Sequence, residues 1–149
     1  MRLRTQSRTQ AEHLTENNMR GLHIFADFYN CPPSDYLTSA KKLRLMCIRA
    51  AQLAGLTVLG DHFYQFDGFD AIQDGGATGA LVLAESHLAI HTWPERASAT
   101  VDIYVCNVTG DNSGKAENLY IELVEELKPG EILVERVWRG KDEPLAAAA

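Results

Sequence analysis

The sequence has few cysteines, few prolines and no long hydrophobic segment. Its 149 residues include three cysteines and five prolines, too few for a disulfide-stapled or proline-rich protein. The cysteines are far apart and form no Cys-x-x-Cys pair, which is typical of a reducing compartment. No apolar run approaches the roughly 18–20 residues of a membrane-spanning helix, and the N-terminus lacks a hydrophobic signal segment. We therefore expect a cytoplasmic protein with no membrane partner.

Positive charge is also scarce. Fourteen Lys and Arg stand against twenty Asp and Glu, for a net charge of −6. Nucleic-acid grooves need clustered positive charge, so nucleic acid is not an expected partner. An acidic protein leaves room for a cationic small substrate, although charge alone does not name one.

The hydrophobic pattern predicts an α+β fold. Residues 1–20 are polar and aperiodic and are expected to form a flexible N-terminal arm, and a single domain is expected over residues 21–140. The predicted elements follow the order β-α-β-β-β-α-β, with strands at 22–29, 56–66, 80–90, 100–105 and 131–138 and helices at 35–54 and 114–127. Two helices are too few for a doubly wound parallel sheet. We predict a two-layer α/β sandwich, with a mostly antiparallel sheet and both helices on one face. The other sheet face would then be uncovered, which favours a dimer stacked as α/β/β/α.

Histidines four residues apart raise the question of a metal site. His87 and His91 have this spacing, which would bring them together on a helix. The segment reads as a strand, however, where residues four apart lie too far from each other for one zinc ion. No metal is predicted.

Hydroxyl, imidazole and carboxylate groups are dense between Ala84 and Glu95, which read AESHLAIHTWPE. This stretch resembles the processing site of the pyruvoyl-dependent S-adenosylmethionine decarboxylases, in their short prokaryotic class. Similar residues extend through His23–Cys31, the Thr78–Gly79 pair and the strand ending at Cys106. The resemblance covers roughly residues 22–138.

The resemblance implies a proenzyme that cuts its own chain. Ser86 would attack the carbonyl of Glu85, dividing the chain into residues 1–85 and 86–149 and leaving a covalent pyruvoyl cofactor at position 86. That ketone would form a Schiff base with S-adenosylmethionine and stabilise the carbanion left when carbon dioxide departs. The product would be the aminopropyl donor for spermidine and other polyamines.

Other roles are implied in the same way. Cys106 would return the proton after decarboxylation, and His91 with Thr78 would assist self-cleavage. Thr78 stands where a serine is common in the family, and it keeps the hydroxyl.

Substrate-binding residues follow from the same resemblance. Glu95 would bind the ribose hydroxyls, and Phe66 would stack on adenine. Phe63 is the alternative to Phe66, because the loop 67–77 is longer than in the shortest family members. Asp27 is a candidate to face the sulfonium, whereas Trp93 is expected to fix the strand end rather than contact substrate.

The spacing of Ser86 and His91 bears on how the site is assembled. An odd offset of five places two strand residues on opposite faces, so His91 does not readily reach its own Ser86. Family members build each site from both protomers of a homodimer. We therefore predict that Thr78, His91, Glu95 and Phe66 act on the Ser86 and Cys106 of the partner chain.

Two alternatives remain open. The first is a pyruvoyl-dependent decarboxylase of ornithine or arginine, against which Glu95 weighs because neither amino acid has a diol. The second is a non-catalytic homologue that regulates an active partner. The joint presence of Ser86, His91 and Cys106 weighs against the second.

Overall fold

The computed structural model describes residues 20–69, 74–108 and 110–140. The predicted N-terminal arm lies outside these residues except for Arg20. The strands are β1 (Gly21–Tyr29), β2 (Val58–Gln65), β3 (Ala77–Leu83), β4 (Ser86–Trp93), β5 (Ser98–Val105) and β6 (Glu131–Arg139). The helices are α1 (Asp35–Thr38), α2 (Ala40–Leu53) and α3 (Ser113–Leu127), and a short 3-10 turn spans Pro94–Arg96. The predicted α+β class is confirmed.

The predicted single strand over residues 80–90 is wrong, because this region is a hairpin. β3 and β4 pair with Leu83 opposite Ser86, so Ala84 and Glu85 form a two-residue turn. Glu85 has a φ of 59°, in the left-handed region where Gly and Asn are the usual residues. The turn therefore carries none of the residues that mark a hairpin in a sequence.

The predicted helix over residues 35–54 is two helices. Ser39 is extended, with a φ of −123°, and separates α1 from α2. Its hydroxyl accepts a hydrogen bond from the Lys42 amide at 3.3 Å, and the Ser34 hydroxyl accepts one from the Tyr36 amide at 3.0 Å. Each helix thus begins at a serine that satisfies one of its free N-terminal amides.

The six strands form one antiparallel sheet in the order β2-β3-β4-β5-β1-β6. Alternate residues of the strands point to one face, where they form the core with α2 and α3. The largest fully buried side chains on this face include Ile24, Phe28, Leu81, Ile90 and Ile103, and those on the helices include Leu43, Met46, Leu119 and Leu123. This helix-covered face is the apolar core of the fold.

No helix in the described ranges covers the opposite face, which we call the open face. Large apolar side chains on it are between 37% and 57% exposed, namely Phe25, Tyr29, Tyr64, Val82, Trp93, Leu133 and Val137. An apolar surface that spans a whole sheet is typical of a face that contacts another molecule. In the part of the chain that the structure describes, no helix is long and apolar enough to cross a membrane.

Polar side chains of the open face gather beside β5. His23 Nε2 lies 2.9 Å from an oxygen of Asp102, and the Arg139 guanidinium lies over the Tyr104 ring at 4.7 Å. Burial, and then the charge of His23, lowers the pKa of His87. These interactions give the open face a polar cluster within its apolar surface.

Candidate active site

Four of the predicted site residues line one cavity of about 420 Å³. Phe66, Thr78, His91 and Glu95 all contribute to it. The cavity lies where β3 begins and β4 ends, and it is closed on one side by the described ends of the loop between β2 and β3. The volume is within the range of small-molecule sites.

Thr78 and His91 are cross-strand neighbours on the open face. They are directly paired between β3 and β4, and Thr78 Oγ1 lies 2.5 Å from His91 Nδ1. Cβ atoms of such a pair are about 5 Å apart, which allows this contact. The threonine hydroxyl therefore fixes the orientation of the imidazole in the cavity.

Backbone turns place the remaining two side chains. Glu95 lies in the 3-10 turn that Pro94 begins and that Ala97, with a φ of 48°, ends. Phe66 directly follows β2, is half exposed, and packs edge-on against Tyr64 with 5.0 Å between the ring centroids. Both side chains are accessible to a ligand in the cavity.

Phe63, the predicted alternative to Phe66, is on the other side of the sheet. It pairs with Gly79 and packs on the helix-covered face. A Cβ on Gly79 would lie 2.1 Å from the Phe63 ring, so the ring covers this glycine. Phe63 does not line the cavity, and only Phe66 remains as the aromatic candidate of the two.

Ser86 and Cys106 lie elsewhere in the same chain. Ser86 begins β4 at the hairpin turn, where its hydroxyl donates a 3.3 Å hydrogen bond to the Ala84 carbonyl. It pairs with Val105, the last residue of β5, and Cys106 directly follows that strand. The scissile peptide of the predicted cleavage is thus in an exposed turn beside Cys106.

The single chain separates Ser86 from His91. Both belong to β4, and five residues of strand span about 16 Å. Ser86 is an even number of residues from the buried Leu88 and Ile90 and shares their face of the sheet, whereas His91 is on the open face. The chain therefore holds two parts of the predicted site, one at each end of β4.

The three cysteines differ in environment. Burial raises the pKa of the Cys47 thiol to about 12 and also raises that of Cys31. Cys106 is only partly buried, and its backbone carbonyl accepts a 2.9 Å hydrogen bond from Nδ2 of the Asn112 side chain. Cys106 is the thiol with solvent access among the three.

Seven residues of the cavity lining were not among the predicted site residues, and they include Trp93, Asp67 and Phe69. Trp93 lines the cavity rather than only ending β4, and Asp67 and Phe69 approach it from the loop. Trp93 belongs to the conspicuous 84–95 stretch and could have been included on that ground. The loop residues have no such signal. Asp27 does not line this cavity but a neighbouring, more open one of about 460 Å³ that shares Trp93. Among the described residues, no group of three or more His, Cys, Asp or Glu side chains is arranged to hold a metal ion.

Gly76 closes the cavity wall at a point with no room for a side chain. A Cβ there would lie 2.0 Å from the Thr92 carbonyl oxygen, well inside van der Waals contact. We expect Gly76→Ala to lower the free energy of unfolding by about 1–3 kcal/mol, as overpacking does. Gly60→Ala is the matched control, since a Cβ at Gly60 meets nothing within 4 Å. Urea denaturation measures both, and equal stabilities would contradict the tight contact.

Comparison with known proteins gives the family. Residues 22–140 match the family model described as S-adenosylmethionine decarboxylase. The chain belongs to the S-adenosylmethionine decarboxylase family. The match includes every residue of the two site parts described above.

Individual S-adenosylmethionine decarboxylases are similar over most of their length. The chain is 42% identical over 112 residues to the S-adenosylmethionine decarboxylase proenzyme of Aquifex aeolicus, covering 75% of each chain. It is 36% identical over 120 residues to that of Thermoplasma acidophilum, covering 80% of this chain and 83% of the relative. The crystal structure of the Aquifex aeolicus adenosylmethionine decarboxylase matches with a TM-score of 0.72 and 35% identity, over 88% of this chain and 99% of that one.

Proposed function

We propose that the chain cleaves itself between Glu85 and Ser86, within one domain over residues 21–140, and then decarboxylates S-adenosylmethionine. The observation that carries the proposal is the cavity that unites the Thr78–His91 pair with Phe66 and Glu95. The family assignment supplies the reaction class. The product would be the aminopropyl donor of polyamine biosynthesis.

Self-cleavage would begin at the Ser86 hydroxyl. Its oxygen attacks the Glu85 carbonyl carbon, the peptide C–N bond breaks, and an ester to Ser86 Oγ replaces it while the Ser86 nitrogen becomes an amine. Removal of the Cα proton of residue 86 then breaks its Cβ–Oγ bond, so that Glu85 leaves with a main-chain carboxylate and residue 86 becomes dehydroalanine. Water converts the dehydroalanine to a pyruvoyl group and ammonia. The exposed turn and the left-handed backbone of Glu85 support this site of cleavage.

Proton transfer is the contribution of the chain's own side chains. His91, oriented by Thr78, is placed to accept and return protons during cleavage. A pyruvoyl group at residue 86 would supply a ketone that condenses with the substrate amine and draws electrons from the bond to carbon dioxide. Cys106, which directly follows Val105, the β5 partner of residue 86, and is partly exposed, is placed to return a proton from Sγ to the substrate carbon.

The cavity suits a cationic nucleoside. Its charged lining residues among those described are Asp67 and Glu95, both acidic, which favours a sulfonium and an ammonium over an anion. The Glu95 carboxylate can accept hydrogen bonds from both ribose hydroxyls. The exposed Phe66 ring offers a stacking surface for adenine.

Two copies of the chain would complete each site. Ser86 and His91 are separated by about 16 Å of strand and by the sheet itself, so one chain does not join them. The open face carries apolar surface suited to a second copy. Stacking two open faces as α/β/β/α would pair Ser86 and Cys106 of one protomer with Thr78, His91, Glu95 and Phe66 of its partner, because Ser86 lies at the hairpin end of its sheet and can be reached around that end.

Carbon dioxide release tests the substrate. We expect the cleaved protein to decarboxylate S-adenosylmethionine at least about a hundredfold faster than ornithine or arginine, because polar groups that bind a nucleoside stay unpaired with a plain amino acid. Glu95→Gln should raise KM for S-adenosylmethionine about tenfold by weakening charge-assisted hydrogen bonds.

The matched control is Glu125→Gln, at an exposed glutamate of α3, which should leave KM unchanged. Release from ornithine or arginine alone would show the other pyruvoyl-dependent activity. No release from any of the three would favour the non-catalytic homologue.

A further inference from the structure

Gln65, the last residue of β2, makes an unusual number of hydrogen bonds with its side chain. Its Oε1 accepts one from the Ala40 amide at 2.7 Å. Its Nε2, which has two N–H groups, lies within hydrogen-bond distance of three carbonyl oxygens, those of Phe66 at 3.2 Å, Gly75 at 3.2 Å and Gly76 at 3.1 Å, so that one N–H is shared between two of them. One side chain therefore joins helix α2 to both described ends of the loop between β2 and β3.

All three carbonyls belong to residues that line the cavity. Phe66 is the aromatic side chain proposed to contact adenine, and Gly75 and Gly76 form the wall beside it. The two ends of the loop are crowded here, since a Cβ on Gly75 would lie 2.0 Å from the Phe66 carbonyl oxygen. The position of Phe66 thus depends on how these backbone segments are held together.

A primary amide is the side chain that fits this position. It presents an acceptor to the Ala40 amide, which is among the free N-terminal amides of α2, and donors to the carbonyls. A carboxylate of the same shape would keep the acceptor but would face three carbonyl oxygens with a negative charge. An apolar side chain would satisfy neither group.

The fold does not depend on this side chain alone. The Phe66 amide donates to the Gly76 carbonyl at 2.9 Å, and the Thr92 hydroxyl links the same region by donating to the Leu37 carbonyl at 2.8 Å. Helix α2 keeps its Ser39 cap. Loss of the Gln65 amide would therefore shift the cavity wall while the strands stay paired.

We propose that Gln65 is a positioning residue that sets the Phe66 ring for substrate binding. The inference rests on the proposed function, because it gives Phe66 a role in holding the nucleoside. The proposed role of Gln65 concerns substrate binding and not self-cleavage. Self-cleavage would use Thr78 and His91, whose contact lies on the paired strands, whereas substrate affinity would also use the wall that Gln65 holds.

Steady-state kinetics of Gln65→Glu and Gln65→Met test the proposal. We expect both variants to cleave like the wild type by intact mass, to keep kcat within about twofold, and to raise KM for S-adenosylmethionine about tenfold. Gln65→Glu is the decisive variant, since it keeps size and acceptor but replaces the donors with a negative charge that faces the carbonyl oxygens, whereas Gln65→Met removes the donors without adding charge. Gln52→Glu, the same change at an exposed position of α2, should leave KM unchanged.

The possible failures are distinguishable. An inactive wild type would overturn the proposed function itself. An active wild type in which Phe66→Ala raises KM and Gln65→Glu does not would overturn only the role of Gln65. Equal loss of cleavage, kcat and melting temperature in Gln65→Glu would show a structural role instead, and would also overturn the proposal.

Discussion

Replacing Ser86 with alanine should leave the chain as one uncut polypeptide. The wild type should appear by intact mass as two fragments, residues 1–85 and 86–149. The second fragment should resist N-terminal sequencing, because a ketone stands where its amine would be. Alanine has no hydroxyl to attack the Glu85 carbonyl, so the effect on cleavage should be complete rather than partial. Decarboxylation should be lost with it, since residue 86 is the proposed source of the ketone.

A serine outside the hairpin provides the control. Ser34→Ala removes a hydroxyl that accepts a hydrogen bond from the Tyr36 amide at the start of α1, at an expected cost of about 1 kcal/mol in stability. This variant should cut as the wild type does. Cleavage of Ser86→Ala, or an uncut wild type that decarboxylates S-adenosylmethionine, would contradict the proposed processing.

A mixed dimer should restore cleavage to a chain that lacks His91. When it is expressed alone, the His91→Ala chain should stay uncut, because neither chain of its dimer supplies the His91 imidazole to the Ser86 hydroxyl. Co-expressed with Ser86→Ala, it can pair with a chain that carries His91. Random pairing of equal amounts of the two chains would place about half of the His91→Ala chains in mixed dimers. About half of these chains should therefore be cleaved, while the Ser86→Ala chains stay whole.

The double variant Ser86→Ala/His91→Ala is the matching control partner. It brings no imidazole, so its co-expression should leave His91→Ala uncut. Intact masses distinguish the two chains, because the substitutions change the mass differently. If His91→Ala stays uncut beside Ser86→Ala, the site lies within one chain, and the α/β/β/α arrangement no longer explains the separation of Ser86 from His91.

Periodicity was sufficient for the fold class, and turn chemistry limited the rest. The apolar spacing that predicts α2 also places Leu43, Met46 and Cys47 in the core, where they are buried. The hairpin at Ala84–Glu85 escaped prediction because its left-handed residue is a glutamate. An uninterrupted apolar strand and two strands joined by such a turn have nearly the same composition.

The arrangement of the candidate site could be predicted where it depends on strand periodicity and on the family motif. The odd spacing of Ser86 and His91 predicts that they lie on opposite faces of a strand, and the structure places them toward opposite ends of β4. The contributions of Asp67 and Gln65 were not predictable, since each depends on how the loop between β2 and β3 folds back on the strands. A residue that acts through hydrogen bonds to carbonyls leaves no pattern in the side chains around it.

The strand order would make the two products of the proposed cleavage interlock. Residues 1–85 supply β1, β2 and β3, and residues 86–149 supply β4, β5 and β6. In the sheet, β1 of the first piece lies between β5 and β6 of the second, and β3 pairs with β4. Three ladders would have to open before the pieces could part, whereas a cut between Glu85 and Ser86 affects only the terminal Leu83–Ser86 pair of one of them. The mature protein should therefore unfold as a unit, and neither piece should be recovered alone without denaturant.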